Sequence, residues 1–528
     1  MMRQVITPKL AQRAIVVMII LQMTYQVILL SKGTDYVVSQ LTIDDTYYYL
    51  QTAWNMKNLG FVTFDGIHKT NGVQFLWFWI LFLFSHLVHT KIAFLYLALM
   101  IAILMNAASY LPIISIGRQL NSGVLMIILG LLWFNVNIMG GRTYLSGMEN
   151  SLHALIVWLL LASSMSLFST QHEREFNARY ILFTILLVLN VWARVDAVIL
   201  SACFFVVILW LKRSQLKMRT LLTSLVIALL GSVVLFAGFY FMGGSFLPVS
   251  GMIKSQNYSF NLDLLAILFS RSFELLTPVR YFVWHASDKQ YQGIAGPLIL
   301  GAITFVGVSS ALLRQKHLPS VRITWTIMAI SSLVSLLFLS GLGTFAEYGV
   351  WYQSVYFVFS AFSLALLMDI LLKSIFLTKA HLKLIRVVVT LLMVLCVIVY
   401  AIFLGRFSYH TVRSNNYQAD LHYIRYEFAK WIDENYPSGI TLASYSAGQI
   451  GFFSNRPTIN LDGLVNSPEY YRNVIIGKTK ITEYLQQNHV DYVIDYCCIP
   501  DEVVQLSREI ATPFTPPMRV LQYYYSSW

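Results

Sequence analysis

The chain has few charged residues for its length. Only 12% of its 528 residues are Asp, Glu, Lys or Arg, about half the share of roughly 25% that soluble domains carry. Hydrophobic residues make up 57% of the chain, so a water-soluble globule would lack the polar side chains that cover its surface. The 15% aromatic content excludes a disordered chain. A multi-span membrane protein is the class that fits.

Cysteine is also scarce, with four residues in the whole chain. Cys203 and Cys396 lie in apolar runs, and Cys497 and Cys498 are adjacent, which is poor geometry for a disulfide between them. No cysteine spacing typical of a metal centre is present. The cysteines therefore predict neither a disulfide framework nor a metal centre.

The net charge of +12 does not indicate a nucleic-acid partner. Acidic residues slightly outnumber basic ones in 406–528, and the basic excess of the rest lies mainly in short segments between apolar runs. Basic residues in such segments mark the cytoplasmic side of a membrane protein. We therefore expect no nucleic acid, a cytoplasmic N-terminus and a plasma (inner) membrane location.

Apolar runs long enough to span a membrane recur as far as residue 405. The clear runs are 13–31, 92–117, 123–140, 151–168, 221–243, 293–313, 323–341, 354–374 and 387–405. Two further runs are ambiguous. The run 74–90 is either a span or a re-entrant helix, and 180–211, which contains Arg194 and Asp196, is either one tilted span or two short ones.

Two ways of counting these runs both give eleven spans and place the tail outside. We prefer re-entry at 74–90 and two spans in 180–211, because this puts Arg118, Arg174 and Arg179 on the cytoplasmic side. It also puts Arg194 and Asp196 on the outer side. Residues 1–405 then form a transmembrane domain with long outer loops at about 32–73 and 244–292. Residues 406–528 contain strand-like and helical stretches in alternation, which predicts an extracytoplasmic α/β domain.

Two adjacent carboxylates are the sharpest chemical feature of the first outer loop. Asp44 and Asp45 precede a stretch, 46–59, with apolar and aromatic positions at helical spacing. Adjacent like charges raise the cost of ionising both groups, which suits a general base. An aspartate at a helix start is equally a good cap. The residues alone leave base and cap open.

Several motifs together resemble bacterial GT-C glycosyltransferases, most closely the branch that includes the mycobacterial arabinofuranosyltransferases. In the first loop they are Asp-Asp-x-Tyr-x-x-Leu from Asp44 and Thr-Asn-Gly-x-x-x-Leu-Trp from Thr70. Later motifs follow one another along the chain as they do in that branch. They are Ser-Gly-Met-Glu ending at Glu149, Arg-Val-Asp from Arg194, and the segment from Pro248 to Lys254. Ala447–Phe453 and Asn460–Leu464 resemble the C-terminal domain of that branch.

The chain also departs from this pattern at a few positions. Val195 stands where the branch has proline, and Asn150 where it has threonine. A late Trp-Arg-Tyr element is represented by Trp351-Tyr352-Gln353, which lacks the arginine. The resemblance therefore implies the fold and reaction class more firmly than the late phosphate contact.

The resemblance implies an inverting glycosyltransferase. Such an enzyme moves one sugar from a polyprenyl-phosphate carrier to an acceptor hydroxyl on a glycan, lipid or protein at the outer membrane face. Asp44 or Asp45 would take the acceptor proton, with Asp44 preferred by analogy. Cations would stabilise charge growing on the leaving phosphate; Lys254 is the first candidate, and Arg194 and Arg142 are alternatives.

The remaining candidate residues are assigned to the sugar or the acceptor. They are Tyr48, His68, Lys69, Asn71, Glu149, Asp196 and Tyr352. We expect no metal and no cofactor, because side-chain cations can serve the phosphate. The partners are then the lipid-linked donor, the acceptor and membrane lipid.

A transporter or flippase for a lipid-linked or small solute is the alternative function. Transporters commonly show internal repeats and matching broken helices in two halves. No such symmetry is visible here, and a globular α/β tail is unusual for them. A non-catalytic envelope assembly factor would not require ionisable residues gathered on one face.

Overall fold

The structure is a computed structural model of the full chain. It describes residues 6–256, 258–274, 295–314, 319–342, 352, 354–377, 402, 405–409, 411, 413, 420–495 and 519–522. The expected span 387–405 lies outside these residues except for Ile402 and Gly405. The second outer loop is described up to Glu274, and the cysteine pair Cys497–Cys498 lies outside the described residues.

Helices dominate the chain from its N-terminus to residue 377. They are α1 Pro8–Leu30, α2 Thr34–Tyr36, α3 Asp44–Leu59, α4 Phe75–Ser85, α5 Lys91–Ala108, α6 Tyr110–Gln119, α7 Gly123–Met139, α8 Gly141–Tyr144, α9 Asn150–Ser169, α10 Glu173–Ala193, α11 Val198–Lys212, α12 Met218–Gly243, α13 Val249–Ser255, α14 Leu262–Glu274, α15 Ala295–Arg314, α16 Pro319–Leu339 and α17 Ser354–Leu377. A π-helical turn covers Val37–Leu41 and a 3₁₀ turn covers Val195–Ala197. The protein is a polytopic α-helical membrane protein.

Eight helical segments in the described part are long and apolar enough to cross a membrane. They are Pro8–Leu30, Lys91–Gln119, Asn150–Ser169, Glu173–Ala193, Val195–Lys212, Met218–Gly243, Pro319–Leu339 and Ser354–Ser374. Three shorter apolar helices, Phe75–Ser85, Gly123–Met139 and Pro297–Leu313, accompany them. Because 378–400 lie outside the described residues, the count of eleven spans stays a prediction.

The long apolar run 180–211 is two helices rather than one. The chain leaves α10 at Arg194, whose backbone is extended (φ −153°, ψ 125°), and re-enters a helix through the 3₁₀ turn. Asn190 steadies this turn, since its side-chain amide donates to the Ala197 carbonyl (3.3 Å) and the Ser201 hydroxyl (3.0 Å). The turn places the Arg194 guanidinium at one end of a helical hairpin.

Helix α4 is too short to cross a bilayer. Its 11 residues extend about 16 Å at 1.5 Å per residue, against roughly 30 Å of hydrocarbon. The ammonium of Lys57 donates to the carbonyls of Ser85 (3.0 Å) and Val88 (2.7 Å), where the helix ends. This geometry fits a helix embedded in the outer loop and tied to α3.

The tail contains a small parallel sheet. Its elements are α18 Leu421–Asn435, β1 Leu442–Ser444, α19 Ala447–Phe453, β2 Thr458–Asn460, α20 Pro468–Tyr470, α21 Ile481–Gln487, β3 Tyr492–Asp495 and β4 Arg519–Gln522. The strands lie in the order β2-β1-β3-β4, and all three pairings are parallel. Parallel neighbours require crossover connections, and helices α19 and α21 lie in two of these connections. The α/β character predicted for the tail is confirmed.

The tail packs directly on helix α3. The ring of Tyr47 lies 5.3 Å from that of Phe452 and 5.1 Å from that of Phe453. Gly448 is required at this contact, because a Cβ there would lie 2.1 Å from the Asp44 carbonyl oxygen. Helix α3 is thus held between the membrane helices and the tail, with its first turn at the junction.

Candidate active site

The two adjacent aspartates face different surroundings. Ile43 is the N-cap of α3, so both carboxylates lie in the first helical turn and neither is the cap. The Asp44 carboxylate accepts backbone N–H bonds from Gly448 (3.1 Å) and Gln449 (2.9 Å). It also pairs with the Arg425 guanidinium at 3.1 Å. Asp44 therefore joins α3 to the tail.

Asp45 points instead into a cleft. This cleft contains about 410 Å³ of empty space, part of it open to solvent. Its walls are formed by Asp45, Tyr48, Tyr49, Gly72, Val73, Gln74, Met148, Glu149, Arg194, Ser250, Lys254, Tyr352 and Leu464. Seven separate segments of the chain thus line this cleft.

The surroundings of Asp45 suit a general base. Burial raises the pKa of its carboxyl to about 6; nearby Lys254 opposes this rise, while Asp44 and Glu149 add to it. A base whose pKa lies close to the working pH is largely ionised yet still basic enough to accept a proton. Asp45 lines the cleft and has a raised pKa, whereas the Asp44 carboxylate is engaged by the tail.

A buried ion cluster forms another part of the cleft wall. The Arg194 guanidinium donates to Glu149 Oε1 at 2.7 Å and to both oxygens of Asp196 at 3.0 Å. Arg194 and Glu149 are each about 2% exposed or less. Buried charges require such partners, because removing one leaves the other uncompensated. Asp196 thus orients Arg194 and does not line the cleft.

Lys254 lies close to the same cluster through a shared aromatic ring. Its ammonium is 5.2 Å from the centre of the Tyr352 ring, and the Arg194 guanidinium carbon is 4.9 Å from it. Burial lowers the pKa of Lys254, but Tyr352 and Asp45 outweigh this and leave it raised above its usual value. The lysine therefore remains a cation beside Asp45.

Asn71 fixes the loop that carries Lys254. Its buried amide donates to the carbonyls of Phe239 (3.2 Å), Ser245 (2.8 Å) and Leu247 (3.1 Å). Its Oδ1 accepts the N–H of Val249, the first residue of α13, at 3.0 Å. The side chain is thus committed to backbone partners. The contacts do not fit the sequence-based assignment of Asn71 to sugar or acceptor binding.

Two other predicted residues, His68 and Lys69, do not line the cleft. His68 bonds through Nδ1 to Asp65 Oδ2 at 2.7 Å and lies beside Tyr484 of the tail. Lys69 is exposed and outside the lining. Arg142 lies in α8, and its side chain is outside the described part of the structure. In contrast, Tyr48, Glu149 and Tyr352 all line the cleft, as Asp45 does.

The sequence assigned no site role to Asp462 of the tail. This residue accepts the Tyr48 hydroxyl at Oδ2 (2.8 Å) and the Leu464 N–H at Oδ1 (2.8 Å). Burial raises the pKa of Asp462 to about 7, although these hydrogen bonds oppose the rise. The Asn-Leu-Asp-Gly-Leu stretch stands out in the sequence. Its contact with Tyr48 of α3 could not be predicted, because the two segments lie far apart in the chain.

In the described residues no group of three or more His, Cys, Asp or Glu side chains is arranged to hold a metal ion. The charged groups that do converge are two carboxylates, Asp45 and Glu149, and two cations, Arg194 and Lys254. Arg194 pairs with two carboxylates, Glu149 and Asp196. Lys254 therefore supplies the cleft with positive charge that no described salt bridge neutralises.

Comparison with known proteins gives one family model and several solved structures. A domain of unknown function (DUF8728) matches residues 410–526, about the extent of the tail. No curated protein matches the chain. The chain is similar in structure to the apo oligosaccharyltransferase of Archaeoglobus fulgidus, with a TM-score of 0.52, 14% identity, and coverage of 85% of this chain and 64% of that one.

It is also similar to ArnT from Cupriavidus metallidurans bound to undecaprenyl phosphate. The TM-score is 0.53 and the identity 13%, over 85% of this chain and 86% of that one. The chain has the GT-C fold. It spans less than two thirds of the oligosaccharyltransferase, and at such identities the similarity concerns the fold alone. Neither structure is an arabinofuranosyltransferase, so the resemblance to that branch stays a prediction.

Proposed function

We propose that this GT-C protein is an inverting glycosyltransferase that moves a single sugar from a polyprenyl-phosphate carrier to an acceptor hydroxyl. Asp45 is the general base, and Lys254 is the cation that faces the phosphate. The reaction occurs at the outer membrane face, where residues 406–528 form an extracytoplasmic domain over the transmembrane domain 1–405. The acceptor is a glycan, lipid or protein that presents a free hydroxyl.

The proposed step forms one bond and breaks another. The acceptor oxygen attacks the anomeric carbon from the side opposite the phosphate, and its proton passes to the Asp45 carboxylate. The bond between the anomeric carbon and the phosphate oxygen breaks, and the electron pair leaves with polyprenyl phosphate. Because the leaving phosphate gains negative charge, a fixed cation stabilises the transition state more than the bound donor.

The convergence of Asp45 and Lys254 on one cleft supports this proposal most strongly. A carboxyl with a pKa of about 6 and a charged lysine meet there, although they are far apart in the sequence. General base catalysis and phosphate stabilisation require both groups within reach of one sugar. Lys254, which forms no salt bridge among the described residues, suits the one negative charge of a phosphodiester donor.

The elements that carry the site support the outer location. Glu149 precedes α9, Arg194 lies in the turn between α10 and α11, and Lys254 follows α12. The basic segment between α11 and α12 lies at the other end of these helices, where positive charge marks the cytoplasm. This arrangement supports a cytoplasmic N-terminus and an outward-facing tail.

The test is sugar transfer by the purified protein in proteoliposomes. Undecaprenyl phosphates that carry radiolabelled glucose, mannose, galactose or arabinose serve as donors, and envelope polysaccharide, lipid and protein serve as acceptors. We expect labelled acceptor and released undecaprenyl phosphate from at least one donor. Asp45→Asn should abolish both, whereas Asp263→Asn, an exposed acid in the second loop, should retain them.

Two results would contradict the proposal. One is equal transfer by Asp45→Asn and the wild-type protein. The other is movement of label across the membrane with no new glycosidic bond, which is the result expected of a transporter or flippase.

A further inference from the structure

Glu149 leaves one carboxylate oxygen without a partner in the wall of the cleft. Its side chain is almost completely buried, with 1% of the residue exposed. Oε1 accepts the Arg194 guanidinium at 2.7 Å, whereas Oε2 has no hydrogen-bond partner among the described residues. Burial, and after it the neighbouring Glu149 carboxylate with which its hydroxyl interacts, raise the pKa of Tyr49, but this hydroxyl does not reach Oε2 in hydrogen-bonding geometry.

An unpaired buried carboxylate oxygen indicates a missing donor. Burying a charged acceptor without a hydrogen bond is costly, and native proteins seldom leave such groups unsatisfied. Arg194 already pairs with Glu149, although it shares its charge with Asp196, and Lys254 adds a second cation to the same cleft, so an uncharged donor is sufficient. An uncharged O–H donor completes the site, and a sugar in the cleft carries several.

The position of Glu149 indicates which part of the sugar it meets. Arg194 contacts Glu149 and the Tyr352 ring, and Lys254 lies over the same ring. If Lys254 faces the donor phosphate, the Glu149 carboxylate lies at the phosphate end of the cleft. The hydroxyl on the carbon next to the anomeric carbon is the sugar group closest to that end.

We propose that Glu149 Oε2 accepts a hydrogen bond from this sugar hydroxyl and so selects donors that carry it. The proposal rests on the function proposed above and names a specificity determinant for it. The substrate class is then a neutral sugar with a free hydroxyl next to its anomeric carbon. A donor that lacks this hydroxyl leaves Oε2 unpaired, and the site rejects it.

The test compares each active undecaprenyl-phosphate sugar with its 2-deoxy analogue. The wild-type protein should prefer the parent sugar by roughly 10- to 100-fold in kcat/KM, the size expected for a hydrogen bond to a charged group. Glu149→Gln keeps an oxygen for Arg194 but presents an amide to the sugar, so we expect this preference to fall to within about threefold. Asp196→Asn disturbs the same arginine from outside the cleft and should slow both donors while the preference persists.

An unchanged preference in Glu149→Gln, or no preference in the wild-type protein, would overturn this proposal. If Glu149→Gln fails to fold in detergent, Glu149→Asp is the substitute, because it keeps the charge but withdraws the carboxylate by one methylene. The proposed function fails separately, since it requires that the wild-type protein transfer at least one parent sugar.

Discussion

Burial gives Asp45 a measurable signature in the reaction rate. Its pKa is raised to about 6, so below pH 6 the carboxyl becomes protonated and can no longer accept the acceptor proton. We predict that kcat/KM is constant near pH 7.5 and falls about tenfold per pH unit well below pH 6. The measurement is sugar transfer from pH 4.5 to 8.5. A rate independent of pH over this range would exclude Asp45 as the base.

Asp44 should behave as a structural residue. Its carboxylate accepts two N–H bonds from α19 and pairs with Arg425, which is 3% exposed. Asp44→Asn leaves a buried guanidinium short of its partner, so we expect a loss of about 1–3 kcal/mol in stability.

The measurement is the melting temperature in detergent, together with the pH dependence of transfer. We predict that Asp44→Asn melts at a lower temperature than the wild-type protein but keeps the fall in rate below pH 6. Complete loss of transfer at an unchanged melting temperature would make Asp44 the base after all.

The sequence identified the pair of adjacent aspartates, but it could not show which of them is the general base and which is structural. Asp44 and Asp45 differ only in what faces them, and the partners of Asp44 come from a tail about 400 residues away. The preference for Asp44 came from analogy and does not fit these contacts. Glu149, Lys254 and Tyr352 were predicted because each lies in a short motif, and all three line the cleft.

The first outer loop holds the second one in place. Four hydrogen bonds run from Asn71 to the chain between Phe239 and Val249, just before the helix that carries Lys254. We predict that Asn71→Ala raises the KM for the lipid-linked donor roughly 10- to 100-fold, because a displaced lysine no longer meets the phosphate.

Steady-state kinetics of Asn71→Ala, with the donor concentration varied, provides this measurement. The control is Asn58→Ala, at an exposed asparagine whose amide bonds only within α3. An unchanged KM in Asn71→Ala would mean that the second loop keeps its position without these bonds.

Hydropathy predicted where most of the helices lie, but two details could be seen only in the structure. The arginine in the run 180–211 signalled a break, because a charge in the middle of a span is costly, and α10 ends there. The short length of α4 and its tie to Lys57, which no periodicity indicates, favour the predicted re-entrant helix over a span. The role of Asn71 was missed because its partners lie about 170 residues further along the chain.

The whole molecule combines a membrane domain and a tail around one cleft. Leu464 of the tail lines it, and Asp462 holds the Tyr48 hydroxyl from the same side. Sequence patterning predicted both parts separately. It could not predict their contact, because packing between distant segments leaves no periodic signal.

Orientation in the membrane is testable with single cysteines. In a variant without the four native cysteines, Lys478→Cys labels the exposed surface of the tail, and Lys212→Cys labels the C-terminal end of α11. We predict that a membrane-impermeant maleimide applied to intact cells modifies the first cysteine and reaches the second only after permeabilisation. The opposite pattern would place the cleft at the cytoplasmic face.

The most direct test of the central claim is an experimental structure with undecaprenyl phosphate bound. The account predicts the phosphate within about 3 Å of the Lys254 ammonium, with Asp45 facing the same cleft and the prenyl chain leaving towards the membrane. A phosphate bound at the other membrane face, or separated from Lys254 and Asp45 by packed protein, would contradict it.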